Sequence, residues 1–151
     1  MANTTAVCNS FKRELFTATH AFDTTVPAHT LNSVDTFKGA LYVTTAALGG
    51  TTTAYSTTGE VGNSGEYAAG GKAFTNATAV TNNAATTYWT PSASLSWTGV
   101  TFTTDTVLMY NSSQSNKGVA VFNFGTQSPT AATFTLSMPT NNETTGLLRL
   151  S

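Results

Sequence analysis

Apolar residues recur in this chain at two different spacings, and the change from one to the other divides it. Phe11, Leu15, Ala18 and Phe22 fall three or four residues apart, with Lys12, Arg13 and Glu14 between the first two. That period predicts a short amphipathic helix over about 10–22, with Asn9 or Ser10 as N-cap and Lys12, Arg13 and Glu14 on its solvent side. Pro27 cannot continue a helix and restrains Val26, so the element is expected to end before them.

Beyond Phe37 the period falls to two. Phe37–Val43, Ala73–Val80 and Thr86–Trp89 read as strands. Leu95, Trp97, Val100 and Phe102 among Ser and Thr, Val107–Tyr110, Phe134/Leu136/Met138 and Leu147–Leu150 complete the set. Along Val119–Phe124, Val119, Val121 and Asn123 point one way and Ala120, Phe122 and Phe124 the other. With both sides nearly apolar, that strand is expected to be central. Five glycines (59, 62, 65, 70 and 71) mark an ordered loop over Gly59–Gly71, and Asn111–Gly118 reads as a polar hairpin turn. Short strands separated by Gly, Asn and Ser turns predict an all-β fold. The expected form is one domain over 1–151, a β-sandwich or jelly-roll-like barrel with a single N-terminal helix.

Composition narrows the functional classes. Charged residues make up only 9% of the chain, against about 25% in an average domain, while Thr fills roughly a fifth. Such a surface is neutral and insensitive to pH. A net charge of −1, with Lys12–Arg13 the one adjacent basic pair, argues against a nucleic-acid partner. No apolar run is long enough to span a bilayer and the first residues do not read as a secretory leader, so no membrane partner is expected. The single Cys8 excludes an internal disulfide and fits folding in a reducing cytoplasm as a small buried residue.

Titratable groups are sparse. The acids stand apart in sequence, except that Glu60 and Glu66 share the Gly-rich loop, where glutamates are expected to be solvated or capping. His20, near the predicted helix end, is explained by the helix dipole or a backbone hydrogen bond. His20, His29 and Cys8 cannot close a zinc site without carboxylates. Hence no catalytic residue, metal or cofactor is expected, and the chain does not read as an enzyme. Asn-x-Ser/Thr triplets at Asn3, Asn76, Asn111 and Asn142 carry no weight in so Asn- and Thr-rich a chain. Tyr88 and Trp89 are consecutive, so on a strand one of them must face outward. With Tyr55, Glu60 and Tyr67 they form the candidate interface set.

Three stretches carry a resemblance. The first is Ser10-Phe-Lys-Arg-Glu-Leu-Phe-Thr-Ala-Thr-His-Ala-Phe22. The second combines Phe37-Lys-Gly-Ala-Leu-Tyr42, Thr53-Ala-Tyr-Ser-Thr-Thr-Gly-Glu-Val61 and Tyr67-Ala-Ala-Gly-Gly71. The third combines Leu108-Met-Tyr-Asn-Ser-Ser113 with Asn116-Lys-Gly-Val-Ala-Val-Phe-Asn-Phe-Gly125. Covering about two-thirds of the chain, they resemble a family of small Thr/Gly-rich structural proteins of tailed-bacteriophage virions. Departures are an apparent insertion over Thr24–Asp35, Gly39 in place of a β-branched residue, and Glu66 before Tyr67. The resemblance implies a capsid cement or decoration protein that folds in the host cytoplasm and ends on the capsid surface. Its implied partners are the major capsid protein and further copies of itself, as dimer or trimer. Alternatives are a virion-surface fibre or adhesin module binding host glycans, or a neck or tail subunit. The Gly-rich loop and the Thr24–Asp35 insertion are the expected contact regions.

Overall fold

The computed structural model describes residues 2–15, 19–22, 34–75, 79–83 and 85–151. The expected insertion over 24–35 lies outside them apart from Val34 and Asp35, as does His29. Their elements are β1 (Ala6–Val7), α1 (Asn9–Leu15), β2 (Phe37–Tyr42), β3 (Lys72–Ala73), β4 (Thr81–Asn83), β5 (Thr86–Trp89), β6 (Leu95–Val100), β7 (Thr104–Asn111), β8 (Lys117–Gln127), β9 (Ala132–Leu136) and β10 (Leu148–Leu150). Among the described residues the fold is all-β with one helix. Its strands form three antiparallel sheets ordered β1-β8-β7-β2-β3, β10-β5-β4 and β6-β9, none of which closes into a barrel.

The largest sheet is built on β7. All eight of its residues are buried, and it pairs with β2 from Phe37↔Asn111 to Tyr42↔Thr106. On its other side β8 joins it through a register that shifts between Thr104 and Thr106 and again between Met109 and Tyr110. Side chains alternate along a strand, so Ala40, Leu108 and Val121 share one face with Tyr42 and Tyr110. Phe37, Leu41, Val107, Met109 and Ala120 share the other. β8 is therefore interior over Gly118–Val121 but not along its whole length, since Gly125–Gln127 is exposed.

Gly39 sits on the second face because its neighbours occupy the space of a side chain. A Cβ there would lie 2.9 Å from Phe74 and 3.0 Å from Leu95. The expected β-branched residue would displace both. Across this face Phe37 stacks on Phe22 (4.2 Å between ring centroids), and Phe22 meets Trp89 of β5 edge-on at 5.0 Å. In the β6–β9 pair, Trp97 stacks on Phe134 at 6.1 Å.

The helix is shorter than its apolar period predicts. It ends at Leu15; residues 16–18 lie outside the described set, and His20 and Phe22 are not helical. In a helix reaching Phe22, Phe11 and Phe22 would stand roughly 16 Å apart along the axis. Their rings are 6.0 Å apart. Nor can residues six apart on a helix face each other, yet Glu14 and His20 are in contact at 2.8 Å. Residues 19–22 therefore do not continue α1. Glu14, expected on the solvent side, is buried at 4% exposure.

The Gly-rich loop reaches the sheet through glycine. Gly71 has φ +66, and a Cβ on it would lie 1.8 Å from the Gly39 carbonyl oxygen. Backbone strain and steric overlap thus coincide there. Gly71→Ala is expected to destabilise the fold by about 3 kcal/mol or more. Gly62→Ala, with nothing within 4 Å of the new methyl, should stay within about 0.5 kcal/mol of wild type. Paired urea-unfolding curves check this; equal midpoints for the two variants would contradict the loop's docking.

Candidate functional site

Two polar clusters and one apolar groove contain the residues that could carry function. The first cluster lies in the Gly-rich loop. Glu60 Oε2 accepts from the Tyr55 hydroxyl at 2.6 Å, and Oε1 accepts from the Tyr67 hydroxyl and the Gly70 N–H, both at 2.7 Å. The Tyr67 hydroxyl itself accepts from Leu41 N–H at 2.9 Å, which ties the cluster to β2. Tyr55 stacks on Tyr110 at 4.7 Å, and Tyr110 donates to the Gly70 carbonyl at 2.8 Å. Burial, together with the negative Glu60 nearby, pushes the Tyr110 hydroxyl up to about 12. The same causes push Tyr55 and Tyr67 higher still. These phenols stay protonated and act as donors.

The second cluster links α1 to the end of β7. Glu14 Oε1 meets Lys117 Nζ at 2.5 Å, and Oε2 meets His20 Nε2 at 2.8 Å. Asn111 Oδ1 accepts from Ser113 N–H, so its amide nitrogen faces Asp35 Oδ2 at 2.7 Å and His20 Nδ1 at 3.0 Å. Nδ1 therefore accepts, and Nε2 carries the hydrogen directed at Glu14. Asp35 also accepts from Ala21 N–H and from Gln114 Nε2. His20 is thus held by two side chains, not by a helix end. Burial pushes the Glu14 carboxyl up, but the hydrogen bonds from Lys117 and His20, with the Lys117 charge, outweigh it and hold the group below its ordinary 4.5.

The groove lies between α1 and the β10-β5-β4 sheet. It encloses about 220 Å³ and is lined by Val7, Phe11, Leu15, Phe22, Val80, Thr87, Tyr88, Trp89, Leu148, Arg149 and Leu150. Among the described residues Val80 and Leu150 are the exposed large hydrophobics, at 39% and 49%. Neither cluster contributes a titratable side chain to its lining. A smaller space of about 160 Å³ lies between Val107, Phe122 and Phe124 on one side and Leu136, Met138 and Leu147 on the other.

The sequence-predicted interface residues divide between these places. Tyr55, Glu60 and Tyr67 come together and bond one another: Tyr67 is 1% exposed, Tyr55 and Glu60 are half-buried, and Glu60 caps no helix. Trp89 is 2% exposed and Tyr88 half-buried, so of this consecutive pair only Tyr88 reaches the surface. Glu66 is exposed and stands apart from Glu60; its Oε2 accepts from Thr98 N–H at 3.0 Å and lies 3.6 Å from Lys72 Nζ. Cys8 is fully buried, which pushes its thiol up to about 11 and leaves little thiolate at neutral pH. Val80, Leu148 and Leu150 were not singled out by the sequence pattern. The available signal was Leu148 and Leu150 flanking Arg149 on a strand that ends a sheet.

The described residues include no group of three His, Cys, Asp or Glu side chains placed to hold a metal. None of their helices is long and apolar enough to cross a membrane. Chemically, the clusters orient and neutralise one another, and the groove offers apolar area.

Two measurements test the clusters as structural devices. Glu60→Gln removes a charged acceptor shared by three donors and should cost roughly 1–3 kcal/mol in urea unfolding. Glu14 has a folded carboxyl value below its unfolded one, so its contribution is complete above about pH 4.5 and is lost as pH falls through the lowered value. Glu14→Gln should therefore cost roughly 1–3 kcal/mol at pH 7, with the gap from wild type narrowing below pH 4.5. A gap that widens on acidification would contradict the assignment.

No protein-family model matches the chain, and no curated protein or solved structure matches it.

Proposed function

We propose that this chain is a structural protein of a tailed-bacteriophage virion: a cement protein that binds the major capsid protein and stabilises the head. The observation that carries the reading is the separation of polar chemistry from the accessible groove. The buried acids and His20 are consumed in internal hydrogen bonds, while the groove presents almost wholly apolar surface. That suits docking of a partner's side chains better than turnover of a substrate. The sequence resemblance and the charge-poor, Thr-rich composition support the same reading, because a shell-bound subunit gains avidity from many copies and needs no reactive centre.

The finer fold we propose is a β-sandwich. Supporting it, the face of the large sheet bearing Phe37 and Leu41 is covered by aromatic and aliphatic residues from β5 and β6, namely Trp89 and Leu95. A glycan-binding module would need a shelf of exposed rings, and the Tyr88–Trp89 pair offers only half of one.

Heads assembled without the protein should keep their form but release DNA on mild heating, and adding back purified protein should restore retention. Quantitative mass spectrometry should find copies on the scale of the whole shell. Equal heat stability with and without the protein, or a copy number matching a single ring, would overturn the cement reading.

A further inference from the structure

Among the described residues, strand edges are covered, twisted, short or charged, with one exception. β1 is flanked by residues 48–50, since Thr4 and Asn9 donate their N–H groups to the Leu48 and Gly50 carbonyls. Beyond β1, β8 donates Asn123 N–H to Thr5 Oγ1 and then twists at Gly125, whose φ is +79. β3 is two residues long and carries Lys72, β10 is three residues long with Arg149 at its centre, and β4 is three residues long. The outer edge of β6 is closed by the Gly-rich loop. There Glu66 N–H donates to the Thr98 carbonyl and Thr98 N–H donates back to Glu66 Oε2, both at 3.0 Å. Such devices keep sheet edges from pairing with other chains.

β9 has none of them. It is five residues long, and β6 is its one strand neighbour among the described residues. The extra residue in that ladder lies on β6, between Trp97 and Val100, so β9 runs unbroken. Beyond the β6 ladder, no hydrogen bond among the described residues reaches the backbone of Ala132–Leu136. No charged residue stands between Lys117 and Glu143, and Pro129 and Pro139 lie outside the strand. Alternate N–H and C=O groups of β9 thus face outward, with neither charge nor proline to deter a second strand.

We propose that β9 pairs antiparallel with β9 of a second copy, about a two-fold axis at Phe134, so that two β6-β9 pairs join into one four-stranded sheet. The strand suits its own reverse. Thr133 of each copy meets Thr135 of the other and Ala132 meets Leu136, so no like charges are opposed and hydroxyls face hydroxyls. Thr135 already shares a hydrogen bond with Ser96 at 3.1 Å, and the pairing extends that row. On the inner face Phe134, in contact with Trp97, Phe102 and Phe124, meets its own copy. Because the β6 edges are covered, the sheet ends after two copies, as a closed dimer and not a filament. A strand of unrelated sequence would gain the backbone bonds without this match of threonine to threonine. The inference does not depend on the capsid reading.

Sedimentation equilibrium on the full chain tests it. A pair of five-residue strands buries less than the ~1,200 Å² of a stable interface, so the dissociation constant should be on the order of 10–100 µM. Thr133→Lys combined with Thr135→Lys sets like charges opposite each other twice and should weaken the dimer roughly tenfold. Thr133→Lys combined with Thr135→Glu sets opposite charges across the axis and should stay within about threefold of wild type. Thr51→Lys combined with Thr57→Lys adds the same charge between β2 and β3 and should change nothing. All four altered positions are exposed, and circular dichroism confirms that each variant is folded.

A chain that stays monomeric up to about 1 mM overturns the inference. So do trimers, or dimers that tolerate the two β9 lysines. Loss of the dimer in the lysine–glutamate variant as well refutes pairing about Phe134. A monomer that binds an extended threonine–valine peptide, unless β9 carries the two lysines, assigns the edge to a foreign strand and refutes the second copy. Each outcome holds whatever the heated heads show.

Discussion

β7 is buried along its entire length, yet half of its residues are polar: Thr104, Asp105, Thr106 and Asn111. Each must find a partner inside the protein, because an unpaired polar group away from water costs about 1–3 kcal/mol and a charge costs more. The partners come from segments far away in sequence. Thr104 Oγ1 donates to the Tyr42 carbonyl. Asp105 accepts from Asn3 and Asn123, and Asn3 in turn holds Val43 and Leu48. Asn111 gathers Asp35 and His20, and through His20 reaches Glu14 and Lys117. The N-terminal segment, the residues around His20 and Asp35 and the chain that follows β2 are thus positioned by needs that a single strand creates.

That dependence explains which parts of the fold were legible in sequence. Where one face is apolar and the other polar, alternation located the strand: β5 matches the expected Thr86–Trp89, and β2 differs from Phe37–Val43 only at its last residue. The interior of β7 was underestimated, because only Val107–Tyr110 is apolar and its polar ends read as exterior. The helix was overestimated for the opposite reason. Phe11 and Phe22 do share a surface, and a linear pattern cannot distinguish a helix from a turn that brings the same rings together. β1 is two residues long and was invisible; pairing with Val121 and Ala120, not propensity, makes it a strand.

The candidate site shows the same limit at the level of side chains. Tyr55, Glu60 and Tyr67, three of the five candidate interface residues, meet in the structure, but the sequence carried no information on which way they face. Their spacing over thirteen residues suits a shared external surface or a shared internal carboxylate equally well. The deciding constraint is steric: Gly71 brings the loop into backbone contact with Gly39, and Tyr67 is then close enough to bond Leu41 N–H. Once the loop is that close, Glu60 is enclosed by two phenols and one amide. A loop that looked like a contact region is held against the sheet by its own acid.

Using acids as internal fasteners has a consequence for the outside. Every carboxylate drawn inward to satisfy an amide or a phenol leaves a surface cation without its natural counterion, while the Thr-rich remainder stays neutral. Neutral hydroxyls contribute little to binding in any one place, so they do not compete with a localised patch. The apolar groove lined by Phe11, Leu148 and Leu150 therefore stands out energetically from its surroundings. Specificity on such a surface arises less from the strength of one contact than from the scarcity of others. The polar interior of β7 and the selectivity of the exterior are in this sense one design, since partners for the first are drawn from the charges that would have obscured the second.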